Sequence, residues 1–215
     1  MKLLIIGATG MAGSALTTTA LAHNHEVTAL GRSAEKLAKL PTNPNLTTRA
    51  EDAFALTKAE LVKFDVIIDA MATPPAQAYL HVDLATKLVA TLRNTTSPRL
   101  VFILGAGSLK TGDDDHLFVH DIEKSPEAAG FVAIPQNQLS ELQFLQTVTN
   151  VNWVGVSPAA DFHAGDATPA ILGTDHLLAN AAGVSVTTSG TMAATVLAEI
   201  ETPKHHQERF TVANQ

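Results

Sequence analysis

The feature that most constrains the fold lies near the start of the chain, where a short apolar run meets three evenly spaced glycines. Leu3–Ile6 is wholly apolar, as is typical of a strand that a parallel sheet buries on both faces. Gly7, Gly10 and Gly13 follow as G-x-x-G-x-x-G, and Met11–Ala22 has little charge and no proline. A strand, a glycine turn and a helix in this order predict the first unit of an α/β fold.

The glycine loop also has the spacing that a bound dinucleotide requires. The first glycine permits a tight turn, the second removes a Cβ near the pyrophosphate, and the third lets the helix pack closely on the sheet. The N–H groups and the positive dipole end of the helix would then point at the phosphates. We predict that the site includes Gly7, Ala8, Thr9, Gly10, Met11, Ala12 and Gly13. The alternative is a turn that uses glycine for steric reasons alone.

The composition narrows the class of protein. The 215 residues are 46% hydrophobic and 16% charged, which fits one globular domain with a large core. The net charge is −7, and no cluster of basic residues suggests a nucleic-acid partner. The absence of cysteine excludes disulfides and thiolate chemistry. The first apolar run is too short for a signal peptide or a membrane span, so we expect a cytoplasmic protein, monomeric or homodimeric, that does not bind membranes.

Strands and helices alternate along most of the chain. Further strands are predicted at Glu26–Leu30, Leu46–Arg49, Phe64–Met71, Arg99–Leu104, Trp153–Val156, Val184–Thr188 and Arg209–Val212. Helices are predicted at Ser33–Leu40, Thr57–Val62, Pro75–Arg93, Pro135–Thr149 and Gly190–Glu201. This order predicts a single Rossmann-like domain over residues 1–215, with a doubly wound, mostly parallel sheet flanked by helices. The less regular stretch at about 155–182 is expected to form a small substrate-covering region.

The carboxyl ends of the predicted parallel strands mark the expected ligand crevice. Ligands of doubly wound sheets bind where the strand order reverses, beyond the carboxyl ends of the strands. By this rule four loops converge, namely Gly7–Ala12, Arg32, Ala70–Thr73 and Gly105–Ser108. Ser108 could contact the substrate or the nicotinamide there, or could cap the turn that follows it.

Arg32 suggests which dinucleotide is bound. The position about twenty residues past the glycine loop, where NAD-binding proteins place an acidic residue, falls at Leu30-Gly31-Arg32. A guanidinium suits the 2′-phosphate of NADP(H), because its planar fork donates two hydrogen bonds to phosphate oxygens. We therefore predict NADP(H), with NAD(H) as the alternative and a solvated arginine as the simplest explanation. Asp52 is a candidate for the adenine amino group or an ordinary exposed carboxylate.

Two polar groups of residues remain open to more than one interpretation. Asp113–His116, His120 and Asp121 have metal-ligand side chains, but adjacent aspartates point in different directions and more often form a solvated loop, so we predict no metal site. His81, His163 and His176 could donate protons, although a lone histidine more often has a structural or surface role.

Several segments together resemble the atypical short-chain dehydrogenases/reductases. They are Gly7–Gly13, Leu30–Arg32, Val101–Leu109, Trp153–Ala159 and the tail with Glu201–His205 and Arg209–Ala213. The nearest subgroup comprises small NAD(P)H-binding proteins described as candidate NADH-flavin reductases and similar to biliverdin reductase B. The resemblance covers essentially the whole chain. It implies a Rossmann-like domain that binds NAD(P)(H) and places Ala70, Met71 and Ala72 beside the adenine-side ribose. It also implies that Ser108, Pro158, Ala159 and Ala160 lie near the nicotinamide. We further predict that Thr73, Gly105 and Ala106 bind the coenzyme.

The chain departs from the wider superfamily in lacking a Tyr-x-x-x-Lys pair. Its one tyrosine is Tyr79, and Phe131–Glu141, where the motif would fall, contains neither tyrosine nor lysine. This disfavours alcohol–ketone chemistry, in which tyrosine exchanges the substrate proton. A flavin or quinone takes hydride directly, so the protein need only orient two rings. We therefore expect an NAD(P)H-dependent oxidoreductase with such a small-molecule redox acceptor, and the alternative is a non-catalytic NADP(H)-binding redox sensor.

Overall fold

The computed structural model describes residues 1–215, which form a central sheet with helices on both faces. The strands are β1 (Lys2–Ile6), β2 (Glu26–Gly31), β3 (Leu46–Ala50), β4 (Val66–Asp69), β5 (Thr95–Ile103), β6 (Lys110–Thr111), β7 (His116–Leu117), β8 (Val151–Ser157), β9 (Asp161–His163), β10 (Ala170–Gly173), β11 (Val186–Thr188) and β12 (Glu208–Asn214). The helices are α1 (Met11–Ala22), α2 (Ala34–Leu37), α3 (Lys58–Leu61), α4 (Leu80–Leu92), α5 (Phe118–Lys124), α6 (Ala133–Gln146) and α7 (Ser189–Glu201). Short 3₁₀ turns lie at Ala53–Ala55, Pro75–Gln77, Ala106–Ser108 and Pro126–Gly130.

The large sheet has eight strands in the order β3-β2-β1-β4-β5-β8-β12-β10. All neighbouring strands in it are parallel except β10, which pairs antiparallel with β12. The chain runs outward from β1 in both directions, so the strand order reverses between β1 and β4. The predicted Rossmann-like, mostly parallel fold is confirmed, and the crevice at its switch point opens beyond the ends of these two strands.

The strands of the sheet bury both of their faces, as the continuous apolar runs predict. Leu3 and Ile5 belong to the core cluster that holds residues of α1 and α7. Leu4 and Ile6 belong to the opposite cluster, with residues of α4 and α6. Each such side chain contributes about 1.5–3 kcal/mol through burial. Two similar cores therefore hold β1 in place and with it the loop that follows.

A buried ion pair ties α7 to the sheet. Arg99 of β5 donates to the Glu199 carboxylate at 2.7 Å, and His205 contacts the same carboxylate at 2.9 Å. Burial opposes ionisation of Glu199 most strongly, but the hydrogen bonds from Arg99, His205 and two backbone N–H groups together outweigh it. They lower the pKa of Glu199 to about 2.

Two predicted strands differ in their limits for local reasons. The expected strand Arg99–Leu104 begins earlier, at Thr95, and contains Pro98 at the point where the pairing register with β8 shifts. A proline is tolerated there because the interrupted ladder does not need its N–H. The expected strand Phe64–Met71 shortens to β4, because the Asp69 carboxylate accepts the Met71 N–H at 3.0 Å and turns the chain.

Lys110–His120 forms the β6–β7 hairpin and the start of α5. The adjacent aspartates Asp113–Asp115 lie in the exposed turn of this hairpin, as the solvated-loop interpretation predicts. The stretch 155–182 is only partly a substrate-side region, because β10 lies within it and extends the edge of the large sheet. No helix is long and apolar enough to cross a membrane.

Candidate active site

The crevice at the switch point consists of two adjoining cavities. The glycine-loop cavity has a volume of about 350 Å³ and lies between the glycine loop, the end of β2 and the turn after β3. The apolar cavity has a volume of about 410 Å³ and lies between the start of α1, the ends of β4, β5 and β8, and helices α5 and α6. The two share Gly10, Met71, Ala72 and Thr73. Together they form a continuous cleft of the size range of ligand sites.

Two glycines of the loop are required by the backbone around them. Gly7 has φ +74°, and a Cβ on it would lie 2.5 Å from the Ala70 carbonyl oxygen. A Cβ on Gly13 would lie 2.2 Å from the Gly7 carbonyl oxygen. Any larger residue would therefore push backbone against backbone. Steric reasons thus require glycine at positions 7 and 13. This requirement fixes the position of the loop and does not exclude a bound ligand.

The other residues of the loop either hold it in place or line one of the two cavities. Ala8 is fully buried and its N–H donates to the Leu30 carbonyl at 3.1 Å, so Ala8 holds the loop against β2. Gly7, Thr9 and Gly10 line the glycine-loop cavity, whereas Met11 and Ala12 line the apolar cavity. Helix α1 begins at Met11 with no side-chain cap. Its first-turn N–H groups have no intrahelical partners and favour a phosphate at this point of the cleft.

Two unpaired cations lie at the far end of the glycine-loop cavity. Arg32 follows β2 directly, and Lys36 lies in α2, which Ser33 caps by accepting the Lys36 N–H at 3.2 Å. Both side chains line the cavity, and neither makes an ion pair or a side-chain hydrogen bond within the protein. Lys36 was not predicted from the sequence, although a second basic residue only four positions after Arg32 could have identified it.

Asp52 lies in the same cavity and also has a structural role. It lines the glycine-loop cavity beside Glu51 and Ala53. Its carboxylate accepts the Phe54 N–H at 3.0 Å and caps the 3₁₀ turn at Ala53–Ala55. The carboxylate is therefore fixed at the cavity wall, where the adenine contact stays a prediction.

The apolar cavity gathers the other residues that the sequence placed near the coenzyme. It is lined by Ala70, Met71, Ala72, Thr73, Gly105, Ala106, Pro158, Ala159 and Ala160. Hydrophobic residues of α5, α6 and the turn before α6 close its other side, namely Phe118, Ile122, Phe131, Ile134 and Pro135. The segment after Phe162 does not reach the cavity, so the cover expected from 155–182 comes mainly from these residues. The Thr73 hydroxyl is buried and has no hydrogen-bond partner within the protein.

Ser108 does not lie where the sequence analysis placed it as a candidate catalytic residue. It lines neither cavity and is 4% exposed. Its hydroxyl donates to the Gly105 carbonyl at 3.2 Å and accepts from Arg209 at 3.2 Å. Arg209 also binds the Asp175 carboxylate at 2.6 Å, so the serine belongs to a structural network. The hydroxyl thus neither faces the cleft nor caps the turn that follows; it closes the 3₁₀ turn that Ser108 ends.

Of the three histidines predicted as possible proton donors, only His81 lies at the cleft. His163 and His176 lie on the surface, paired with Asp161 at 3.1 Å and Asp115 at 2.9 Å. Tyr79 is 54% exposed and lines neither cavity. His81 lines the apolar cavity and is its one titratable side chain.

His81 has two buried carboxyl groups in its surroundings. Its Nδ1 lies 4.0 Å from an oxygen of Glu141 in α6, and Asp69, at the end of β4, is near enough to Glu141 for its charge to act on that carboxyl group. Burial, with the charge of Asp69, raises the pKa of Glu141 well above its ordinary value. Burial raises the pKa of Asp69 to about 6, opposed in part by the Met71 N–H, and burial lowers the pKa of His81 to about 4. Burial therefore favours the neutral forms of both Glu141 and His81.

The acidic segment around Asp113 pairs its side chains with histidines. His116 contacts Asp114 at 2.5 Å and Asp121 at 2.8 Å, which raises the pKa of His116 through these two hydrogen bonds. Asp115 pairs with His176 at 2.9 Å, as noted above. These contacts join the β6–β7 hairpin to α5 and to the chain before β11.

Comparison with known proteins agrees with this geometry. A family model described as NAD(P)H-binding matches residues 7–203. The protein YwnB of Bacillus subtilis is 34% identical over 217 residues, which cover 100% of this chain and 99% of YwnB. A crystal structure of a Lactobacillus casei protein is 38% identical with a TM-score of 0.92 and covers 100% of this chain and 99% of its own. A candidate NADH-flavin reductase from Streptococcus pneumoniae is 30% identical with a TM-score of 0.87, over 100% of both chains.

Proposed function

The chain belongs to the NAD(P)H-binding family, and on this premise we propose that it is an NADPH-preferring oxidoreductase that passes hydride to a flavin-like or quinone-like acceptor. The observation that carries the proposal is the cleft itself, in which a cavity with two unpaired cations adjoins an apolar one. The 2′-phosphate of a dinucleotide needs the cavity with the two cations. The nicotinamide ring and an acceptor ring stacked on it need the apolar cavity. The name of the similar Streptococcus pneumoniae protein supports the same class of acceptor.

The residues of the glycine-loop cavity fit the polar half of NADPH. The loop backbone and the first N–H groups of α1 would bind the pyrophosphate. Arg32 and Lys36 would bind the 2′-phosphate, and the unpartnered Thr73 hydroxyl lies between the two halves of the cleft. When bound, the dihydronicotinamide supplies a hydride. The chain's own residues then bind, orient and exclude water.

The apolar cavity would hold the reacting rings. Pro158–Ala160 and Ala106 offer small, flat surfaces, and Phe118, Ile122 and Phe131 offer apolar cover. Such walls exclude water from the hydride path and leave the rings free to stack. Neither tyrosine nor lysine lines this cavity, which favours an acceptor that needs no hydroxyl-mediated proton exchange.

Turnover of NADPH tests the proposal. The purified protein is mixed with NADPH or NADH and with FMN, FAD or a small quinone, and the loss of nicotinamide absorbance is followed. We expect steady oxidation with at least one acceptor and a lower KM for NADPH than for NADH. Tight NADPH binding without turnover on any acceptor would instead support the redox sensor. Failure to bind either coenzyme would contradict both.

A cavity-filling variant identifies where the acceptor binds. Ile122→Trp narrows the apolar cavity from α5, outside the residues predicted to bind the coenzyme. It should lower turnover and leave the Kd for NADPH unchanged. Val62→Trp adds the same ring at an exposed site outside both cavities and should change neither.

A further inference from the structure

One polar side chain interrupts an apolar stripe of α6 that faces the apolar cavity. Gln138 follows Ile134 and Pro135 at the spacing of one helical turn, and Phe131 lies one turn before them. All four residues line the cavity, and Gln138 is half-buried there. A glutamine among apolar residues loses hydration unless another group takes over its hydrogen bonds. Its place in this stripe therefore indicates a polar partner.

The carboxamide of Gln138 has no such partner within the protein. It makes no side-chain hydrogen bond, and both of its polar atoms keep accessible surface. The other two polar side chains of the cavity differ in this respect, because the Thr73 hydroxyl and Nε2 of His81 are shielded from solvent. Gln138 thus presents an N–H donor and a C=O acceptor that a ligand in the cavity can reach.

The backbone at the end of β5 fixes the position of this carboxamide. A Cβ on Gly105 would collide with Oε1 of Gln138 and would lie 2.9 Å from its Cδ. The amide group therefore packs against bare backbone beyond the carboxyl end of a central strand, where ligands of such sheets bind. A side chain restricted in this way loses less conformational freedom when it binds a ligand.

We infer that Gln138 selects the acceptor by pairing its carboxamide with an imide edge, so that the acceptor is a flavin and not a quinone. This inference rests on the proposed function and decides between its two acceptor classes. The isoalloxazine ring of a flavin has a carbonyl at C4 beside an N–H at N3. A carboxamide forms two parallel hydrogen bonds with such an edge, as glutamine does with adenine.

A quinone lacks the group that would complete this pairing. Its ring has carbonyl acceptors and no N–H donor, so the carbonyl oxygen of Gln138 would lose water without gaining a hydrogen bond. Sites with polar groups discriminate against ligands that leave those groups unpaired. The side chain therefore acts on the choice of acceptor through binding.

The position of Gln138 favours the acceptor over the coenzyme as its partner. The coenzyme would pass between the two cavities at Gly10 and at Met71, Ala72 and Thr73, which line both. Gln138 lines the apolar cavity alone, in the wall that α6 forms. An acceptor ring stacked on the nicotinamide would lie against this wall.

Binding of FMN to the complex with NADP⁺ tests the pairing without turnover. Fluorescence quenching gives the Kd for FMN and for its derivative with a methyl group on N3, which lacks the N–H. The wild type should bind FMN about 10-fold more tightly than the derivative, the scale of two neutral hydrogen bonds at a half-buried site. Gln138→Leu should bind both with equal Kd. Equal Kd values in the wild type, or a preference that Gln138→Leu retains, would overturn the inference.

A matched control comes from the same helix. Gln143 is exposed in α6 and lines neither cavity, so Gln143→Leu makes the same substitution away from the site and should keep the wild-type preference. If Gln138→Leu does not fold, Gln138→Glu replaces it, because it keeps the shape of the side chain and removes the N–H donor. Gln138→Glu should also lose the preference for FMN.

Steady-state kinetics separates this inference from the proposed function. Gln138→Leu should raise the KM for FMN about 10-fold and leave unchanged the KM for a small naphthoquinone and the Kd for NADPH. Weaker NADPH binding with an unchanged KM for FMN would overturn the inference, because the carboxamide would then bind the nicotinamide. A wild type that oxidises NADPH with quinones but not with FMN would also overturn it and leave the oxidoreductase proposal standing. Binding of FMN with the N3 preference but no turnover would overturn the oxidoreductase proposal alone.

Discussion

Replacement of Arg32 by alanine should weaken NADPH much more than NADH. The Arg32 side chain is exposed and makes no hydrogen bond or ion pair within the protein, so its removal breaks no internal hydrogen bond and leaves no buried group unpaired. Its effect on folding should therefore be small. Any loss of NADPH affinity in this variant would then reflect lost contacts with the coenzyme and not a change in folding.

The expected magnitude follows from the exposure of Arg32. A hydrogen bond between charged groups contributes about 1.5–3 kcal/mol, and screening at an exposed site favours the lower part of this range. That corresponds to a roughly 10- to 100-fold increase in the Kd for NADPH. The Kd for NADH, which lacks the 2′-phosphate, should change by about twofold or less. Lys36→Ala should act in the same direction and more weakly, because an ammonium group lacks the planar fork.

Calorimetric titration of each variant with NADPH and NADH measures both constants. Lys39→Ala is the matched control, because it removes a positive charge just after α2 from a side chain that lines neither cavity and pairs with Glu35. It should change the Kd for either coenzyme by less than about twofold at physiological salt. Equal weakening of NADPH and NADH in Arg32→Ala would refute the assignment of the 2′-phosphate to this end of the cleft.

Three further predictions concern stability. Gly13→Ala places a Cβ 2.2 Å from the Gly7 carbonyl oxygen, so it should lower the free energy of unfolding by about 1–3 kcal/mol and Tm by several degrees. In the control Gly130→Ala the added Cβ meets nothing within 4 Å, and Tm should not fall. Equal Tm values for the two variants would contradict the loop geometry. Because the pKa of Glu199 is lowered from 4.5 to about 2, its ionised form stabilises the fold above pH 4.5, and this contribution is lost as the pH falls toward 2. Glu199→Gln should therefore flatten the acid side of the Tm–pH curve, and an unchanged acid limb would count against the ion pair. Because the pKa of Asp69 is raised from 3.8 to about 6, its ionisation destabilises the fold as the pH rises through that interval. Asp69→Asn keeps the acceptor for the Met71 N–H and should raise Tm at pH 8 but not at pH 3, and the idea fails if Tm falls equally at both.

The sequence was sufficient for the fold and for the position of the glycine-loop cavity because both depend on local patterns. Apolar runs identify buried strands, and glycines at fixed spacing identify the loop between β1 and α1. The rule that ligands bind at the carboxyl ends of the strands then brings Arg32 and Ala70–Thr73 together. The structure places these residues around one cleft, as expected.

The helical wall of the apolar cavity could not be predicted in the same way. Apolar residues at three- and four-residue steps within Pro75–Arg93 predict a buried face made of Ala78, Val82, Ala85, Val89 and Leu92. The structure buries four of these five residues, but it buries His81 and leaves Val82 only half-buried. A histidine and a valine side by side on a helix do not reveal which one faces inward. Glu141 lies beside Leu142 in α6, where a glutamate ordinarily faces solvent. Only the packing of α4 against α6 brings the two titratable groups together.

Ser108 is a residue that the sequence placed at the ligand site and the structure places outside it. Its position after a buried strand and a glycine is typical of a residue at a ligand site, and the sequence cannot show that the 3₁₀ turn at Ala106–Ser108 directs its hydroxyl inward. The partner that holds it, Arg209, is 101 residues away along the chain. Long-range contacts of this kind are absent from any local pattern.

A crystal structure with NADP⁺ tests most directly whether the coenzyme spans the two cavities with its nicotinamide in the apolar cavity. The predicted result places the 2′-phosphate against Arg32 and Lys36, the pyrophosphate at the start of α1, and the nicotinamide between Pro158–Ala160 and the His81 side of the apolar cavity. A complex with the nicotinamide outside the apolar cavity, or with the 2′-phosphate away from both cations, would contradict it.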